Sequence, residues 1–245
     1  MTDGLQYALV ALAALWGAAA GTLLPRAAHR FAVPAGEEWR TACPQGHPLA
    51  GWLGPARCRT CGGTPYGTGA AVPVTVTALV CALLAAATGT RPELAVWLLL
   101  APVGVLLATV DFRVQRLPDP LTLPFAATAL VLLGLTALVP EHAGEWTTAL
   151  LGALALGAGY FVLFLINPAG MGFGDVKLAL GAGAVLGWYG WPTVLLGTLV
   201  GFLCGALYGG ALVVARKAGR KTSVPFGPFL IGGAFAGLLI GAYTA

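Results

Sequence analysis

Apolar runs of about 20 residues recur along this chain from end to end with hardly a charge inside them, and that is the length an α-helix needs to cross a bilayer. The pattern leaves few folds open. Only 9% of the residues are charged and 58% are hydrophobic, against about 25% charged in a soluble domain, so the chain cannot cover its own surface with polar groups. An all-α, polytopic membrane protein surrounded by lipid bilayer follows. The net charge of +4 says less than where the charges sit, and no nucleic-acid partner is expected.

Punctuation by Pro, Gly and charge divides the runs into about eight spans, at roughly 5–25, 71–89, 93–110, 121–139, 146–166, 176–189, 192–214 and 226–244. The first is read as a retained span, because only Asp3 precedes it and no basic segment does. The sixth is short. It is kept apart from the seventh because Gly187-Trp188-Tyr189-Gly190-Trp191-Pro192 reads as an interfacial turn with an aromatic belt. With eight spans, twelve of the thirteen basic residues fall on one side, in 26–70, 111–120, 167–177 and 215–225; Arg91 alone falls on the other. The positive-inside rule makes the basic side cytoplasmic. The expected organisation is a first span (1–25), a short cytoplasmic Cys-containing loop (26–70) and a seven-helix membrane domain (71–245). The sequence shows no internal repeat.

Nine acidic residues are few enough to weigh singly. Asp3, Glu37, Glu38, Glu93, Glu141 and Glu145 read as solvated loop or tail charge. Asp119, in Leu117-Pro118-Asp119-Pro120, reads as a helix N-cap followed by Pro at the first helical position. Asp111 is different. It ends the run Ala101–Val110, where a carboxylate meets the unfavourable end of the helix dipole. Asp175 closes Gly170-Met171-Gly172-Phe173-Gly174-Asp175, a Gly-rich stretch that fits either an N-capping turn or backbone run close to another chain. Both lie at the same membrane face on different helices. Ionisable groups at such positions mark function. Two adjoining carboxylates share a proton, which makes one an acid and the other a base able to activate water.

Gly-Met-Gly-Phe-Gly-Asp175, with Asp111 upstream, Pro118-Asp119 eight residues beyond Asp111, and Pro225-Phe226-Gly227-Pro228 downstream, resembles the signature of type IV prepilin peptidases, which are GxGD intramembrane aspartyl proteases. The likeness covers about residues 95–230. It implies Asp111 and Asp175 as the catalytic pair, with Gly170, Gly172, Gly174, Lys177, Pro225, Gly227 and Pro228 around them. It implies an enzyme of the bacterial inner membrane that cuts the leader from prepilins or pseudopilins, just before their hydrophobic N-terminal helix, on the cytoplasmic face. Many members then methylate the new N-terminus, so S-adenosylmethionine is implied only where methylation is retained.

Of five cysteines, Cys81 and Cys204 lie in apolar runs and read as packing residues. The other three, in Cys43-Pro-Gln-Gly-His47 and Cys58-Arg-Thr-Cys61, offer with His47 a set suited to structural Zn²⁺; free cytoplasmic thiols are the other reading. The family resemblance implies two CxxC pairs here, and this chain departs from the first of them. His29 and His142 read as loop or interface residues. Proteolysis itself requires no cofactor. A proton-coupled transporter using the same carboxylates is the alternative function, although it would be expected to show pseudo-repeated halves. The basic asymmetry makes a testable prediction: Cys introduced at Arg59 or Arg220 should react in intact cells only with membrane-permeant reagents, and Cys at Glu141 with impermeant ones. The opposite labelling pattern would refute the orientation.

Overall fold

In the computed structural model the apolar runs form eight α-helices among the described residues, which are 3–67, 69–168, 170–215 and 225–245. The helices are α1 (Asp3–Phe31), α2 (Ala71–Thr88), α3 (Glu93–Val114), α4 (Asp119–Thr136), α5 (Trp146–Ile166), α6 (Phe173–Gly187), α7 (Trp191–Val214) and α8 (Gly227–Thr244). A small antiparallel hairpin, β1 (Arg57–Cys58) and β2 (Thr64–Pro65), lies in the polar segment after α1. The basic cluster Arg216, Lys217, Arg220 and Lys221 lies outside the described residues.

Seven of the helices are long and apolar enough to cross a membrane, which makes this a multi-pass membrane protein. The exception is α6, whose 15 residues reach only about 22 Å. It has no need to span lipid because other helices enclose it: most of its residues are buried, and it packs on α4, α5, α7 and α8. Helix association in a membrane relies on close packing rather than on hydrophobic expulsion, so small residues gather at the interfaces. Gly152 of α5 and Gly183 of α6 face one another so closely that a Cβ on Gly183 would overlap the Gly152 carbonyl; one on Gly152 would come 2.6 Å from Gly183 O.

Three expectations need correction. First, α1 runs six residues past its expected end at 25. Its last turns are held by the following loop: Arg26 Nη1 donates to the carbonyls of Ala50 and Leu53, and the Arg30 guanidinium lies 4.2 Å over Trp52. His29, in the same turn, is buried with its ring 4.7 Å from Tyr66. Second, Glu93 is not solvated loop charge but fully buried at the start of α3. Two other interhelical segments close over it, with Tyr189 Oη and the Ala143 N–H each donating to Oε1 at 3.3 Å and Arg91 at 4.0 Å. Third, Cys81 is buried as a packing residue should be, but Cys204 is exposed on α7. His142 is a loop residue as expected, its ring 5.7 Å from Trp188.

Candidate active site

Asp111 lies in the last turn of α3, inside the helix rather than beyond it, and is 4% exposed. Its unfavourable position at the negative end of α3 is answered by another helix. The N-terminus of α8 comes over the carboxylate, and the Gly227 N–H donates to Oδ2 at 3.0 Å. A Cβ there would come 2.8 Å from Oδ2, so a larger residue would push the carboxylate aside. Pro228, next in the helix, has no N–H to offer, and Pro225 is buried just before it. Beyond Asp111 the chain turns through Gln115, at φ 51° and ψ 40°, whose N–H donates to the Asp111 carbonyl at 2.8 Å.

Asp175 is the third residue of α6 and is 7% exposed. It is therefore not the N-cap of this helix; Gly172 is. The two grip each other reciprocally. The Gly172 N–H donates to Asp175 Oδ2 at 3.0 Å, and the Asp175 N–H donates to the Gly172 carbonyl at 3.0 Å. Gly170 closes the preceding turn through its N–H to the Asn167 carbonyl at 3.0 Å. Asp175 lies within Coulombic range of Asp111. Two buried carboxylates from α3 and α6 thus share one site, each oriented by a backbone amide.

Two residues of this site carried no functional signal in the sequence. Leu117, from the α3–α4 connection, packs against Gly227 and against Gly174, which precedes Asp175: a Cβ on Gly174 would come 2.8 Å from Leu117 Cβ, and one on Gly227 would come 3.4 Å from Leu117 Cδ1. Tyr160 of α5 is 2% exposed, stacks 5.7 Å from Phe202 and feels the charge of Asp175. Its hydroxyl is buried with no hydrogen-bond partner among the described residues. A lone phenol in an otherwise apolar run was its one available clue.

Asp119 does not cap α4 as the local sequence suggested. Pro118 occupies the N-cap position and no side-chain cap bond forms. A cation from another helix takes the carboxylate instead: Lys177 Nζ lies 2.6 Å from Asp119 Oδ1 and 4.9 Å from the centre of the Phe173 ring. The pair joins the start of α4 to the first turns of α6.

A second cluster lies in the loop after α1. The ligand atoms of Cys43, His47, Cys58 and Cys61 all lie within 4.8 Å of one another, a set that could hold a metal ion. The turn that presents the first two is closed by the Cys43 N–H to the His47 carbonyl at 2.9 Å, and the second two flank the β1 end of the hairpin. Separations include 3.9 Å from Cys43 Sγ to Cys61 Sγ and 3.6 Å from Cys43 Sγ to His47 Nδ1. A tetrahedral ion with metal–sulfur bonds of about 2.3 Å sets edges of about 3.8 Å, so the residues fit. The hydrogen-bonded thiol of Cys58, followed by burial, pushes the Cys61 thiol up to about 11.

The model of the type IV leader peptidase family matches residues 98–210, which contain both aspartates. Among curated proteins, the chain is 38% identical over 152 residues to a prepilin leader peptidase/N-methyltransferase of Aeromonas salmonicida, covering 59% of this chain and 48% of that one. A protein of the same name from Aeromonas hydrophila is 34% identical over 203 residues, 79% of this chain and 66% of its own length. One from Burkholderia pseudomallei is 33% identical over 224 residues, 82% of this chain and 67% of its own. The chain thus spans from about half to two thirds of the length of these relatives. No solved structure matches it.

The Asp119–Lys177 pair yields a stability prediction. Asp119 is more than half exposed, and an ion pair with one solvated partner contributes little. Asp119→Asn should therefore lower stability by no more than about 1 kcal/mol. Thermal unfolding in detergent checks this, and a larger loss would mean that the pair anchors α6.

Proposed function

The chain belongs to the type IV leader peptidase family, and from that premise we propose that it is an intramembrane aspartyl endopeptidase for prepilin-like or pseudopilin substrates. The observation that carries this reading is the meeting of Asp111 and Asp175, both buried and each fixed by one backbone N–H. One carboxylate, ionised, takes a proton from a water molecule as its oxygen attacks the scissile carbonyl carbon. The other, protonated, donates to the carbonyl oxygen. The C–N bond then breaks, and the leaving amine takes a proton from the pair. The Gly-rich approach to α6 leaves Gly172 exposed, with no side chain between an extended substrate and the dyad. The basic side of the membrane, which holds the Cys loop and both aspartates, is the cytoplasmic face of the bacterial inner membrane in this reading. There the leader of the substrate would emerge from its hydrophobic helix. The four ligands of the Cys loop hold structural Zn²⁺, which ties the loop to the hairpin and takes no part in proteolysis.

Asn preserves the shape of Asp but cannot ionise. Asp111→Asn and Asp175→Asn should each abolish leader release from a synthetic prepilin, with the protein still present by immunoblot. The double variant should be no worse than either single one, because residues that act as a unit are not additive. The wild-type rate should be bell-shaped in pH, reporting macroscopic ionisations of the pair. Full activity in either single variant would sink the mechanism.

The metal reading is checked separately. Purified protein should contain about one Zn²⁺ per chain, and Cys58→Ser should lose it. Metal analysis that finds no zinc, with all three loop thiols freely titratable, would rule it out.

A further inference from the structure

A groove of about 520 Å³ lies between α2, α3 and α8, with Phe125 of α4 and Leu178, Ala182 and Val185 of α6 at its base. Each helix presents one face to it: Val72, Val76 and Val80 on α2, Gly104 and Phe112 on α3, and Gly232 on α8. Arg113 is the only charged residue in its lining. Thr109 is already satisfied, its hydroxyl donating to the Val105 carbonyl at 2.7 Å. The glycines here are not used for internal packing. A Cβ on Gly232 would meet nothing within 4 Å, and one on Gly104 only Ile231 Cγ2 at 3.8 Å. By contrast, Gly233, one residue on, is pressed against Gly197 and Gly201 of α7.

We propose that this groove is the docking site for the apolar transmembrane helix of the substrate, which it delivers to the dyad. The inference rests on the leader-peptidase reading above. Two observations select a helix as the occupant. The first is continuity. Phe112 adjoins Asp111 in sequence and Pro228 adjoins Gly227, so the groove ends beside the carboxylate that Gly227 holds. The second is length. Along α3 the lining runs from Trp97 to Arg113, about 24 Å of helix. A lipid tail belongs to one leaflet, about half of a 30 Å core, whereas a spanning helix crosses both. The open space at the exposed Gly232 lets such a helix approach backbone to backbone, as small residues do in membrane interfaces.

The test uses a photoreactive benzophenone side chain at Val76 in the groove, or at Val131, exposed on α4 away from it. Each goes into the full chain carrying Asp175→Asn, reconstituted in vesicles with a synthetic peptide comprising a leader and an apolar spanning helix. The expected result is a peptide adduct from Val76 and none from Val131. Gly232→Phe, placed where the structure has room, should fill the groove and cut that adduct about tenfold, the loss of roughly one buried contact. Equal adducts at both positions, lipid adducts alone at Val76, or an adduct unmoved by Gly232→Phe would each overturn the proposal. Wild-type protein given the same peptide separates the two readings. A groove adduct without cleavage would leave the docking site standing and remove the peptidase; cleavage without the adduct would do the reverse.

Discussion

The site depends on one hydrogen bond between helices: the Gly227 N–H at the start of α8 to the Asp111 carboxylate at the end of α3. A carboxylate there is opposed by its own helix and supported by the positive end of another. A Cβ at Gly227 would displace the carboxylate, so glycine suits the contact. Once α8 is placed, its next turns meet α7 through Gly233 and Gly197, and its other face stands across the groove from α2. This polar contact ties the start of the last helix to the end of α3, where the groove closes.

The second carboxylate reaches the site because α6 runs inside the bundle rather than against lipid, from Asp175 near Asp111 to the turn where Tyr189 meets Glu93 at the far end of α3. A helix facing lipid would need its own apolar turns to cover about 30 Å of hydrocarbon. Enclosed by α4, α5, α7 and α8, the 15 residues of α6 can be short, apolar and rich in glycine. Asp175 is then brought to a protein-lined position near Asp111. Non-helical backbone at 170–172 is tolerated in a membrane protein only where protein or a wet cavity receives it.

The spans were legible because bilayer thickness imposes a length on each apolar run, and seven of the eight helices obey it. The two buried carboxylates were legible as candidates because a carboxylate at membrane depth stands out, and the Cys/His cluster because its ligand spacing is local. What could not be read depended on packing between distant segments. Glu93 has the sequence context of a loop, but Tyr189 and Ala143 close over it from elsewhere in the chain. Asp119 has a capping sequence, yet Lys177 of another helix takes its carboxylate. Leu117 and Tyr160 lie in the site without any local pattern to mark them, because one apolar or aromatic residue among many has no address until the helices are assembled.

The choice of partners around the dyad has a chemical consequence. Among the described residues neither Asp111 nor Asp175 forms an ion pair, and Lys177, two positions from Asp175, is held outward by Asp119. An adjacent cation would favour ionisation of both carboxylates and work against a shared proton. A backbone N–H orients an oxygen without adding a titratable group of its own. Gly227 and Gly172 supply that orientation, one to each carboxylate, and their lack of side chains keeps the approach to the oxygens free. Position and charge are thereby separated: main-chain donors fix where the oxygens stand without placing a cation beside them.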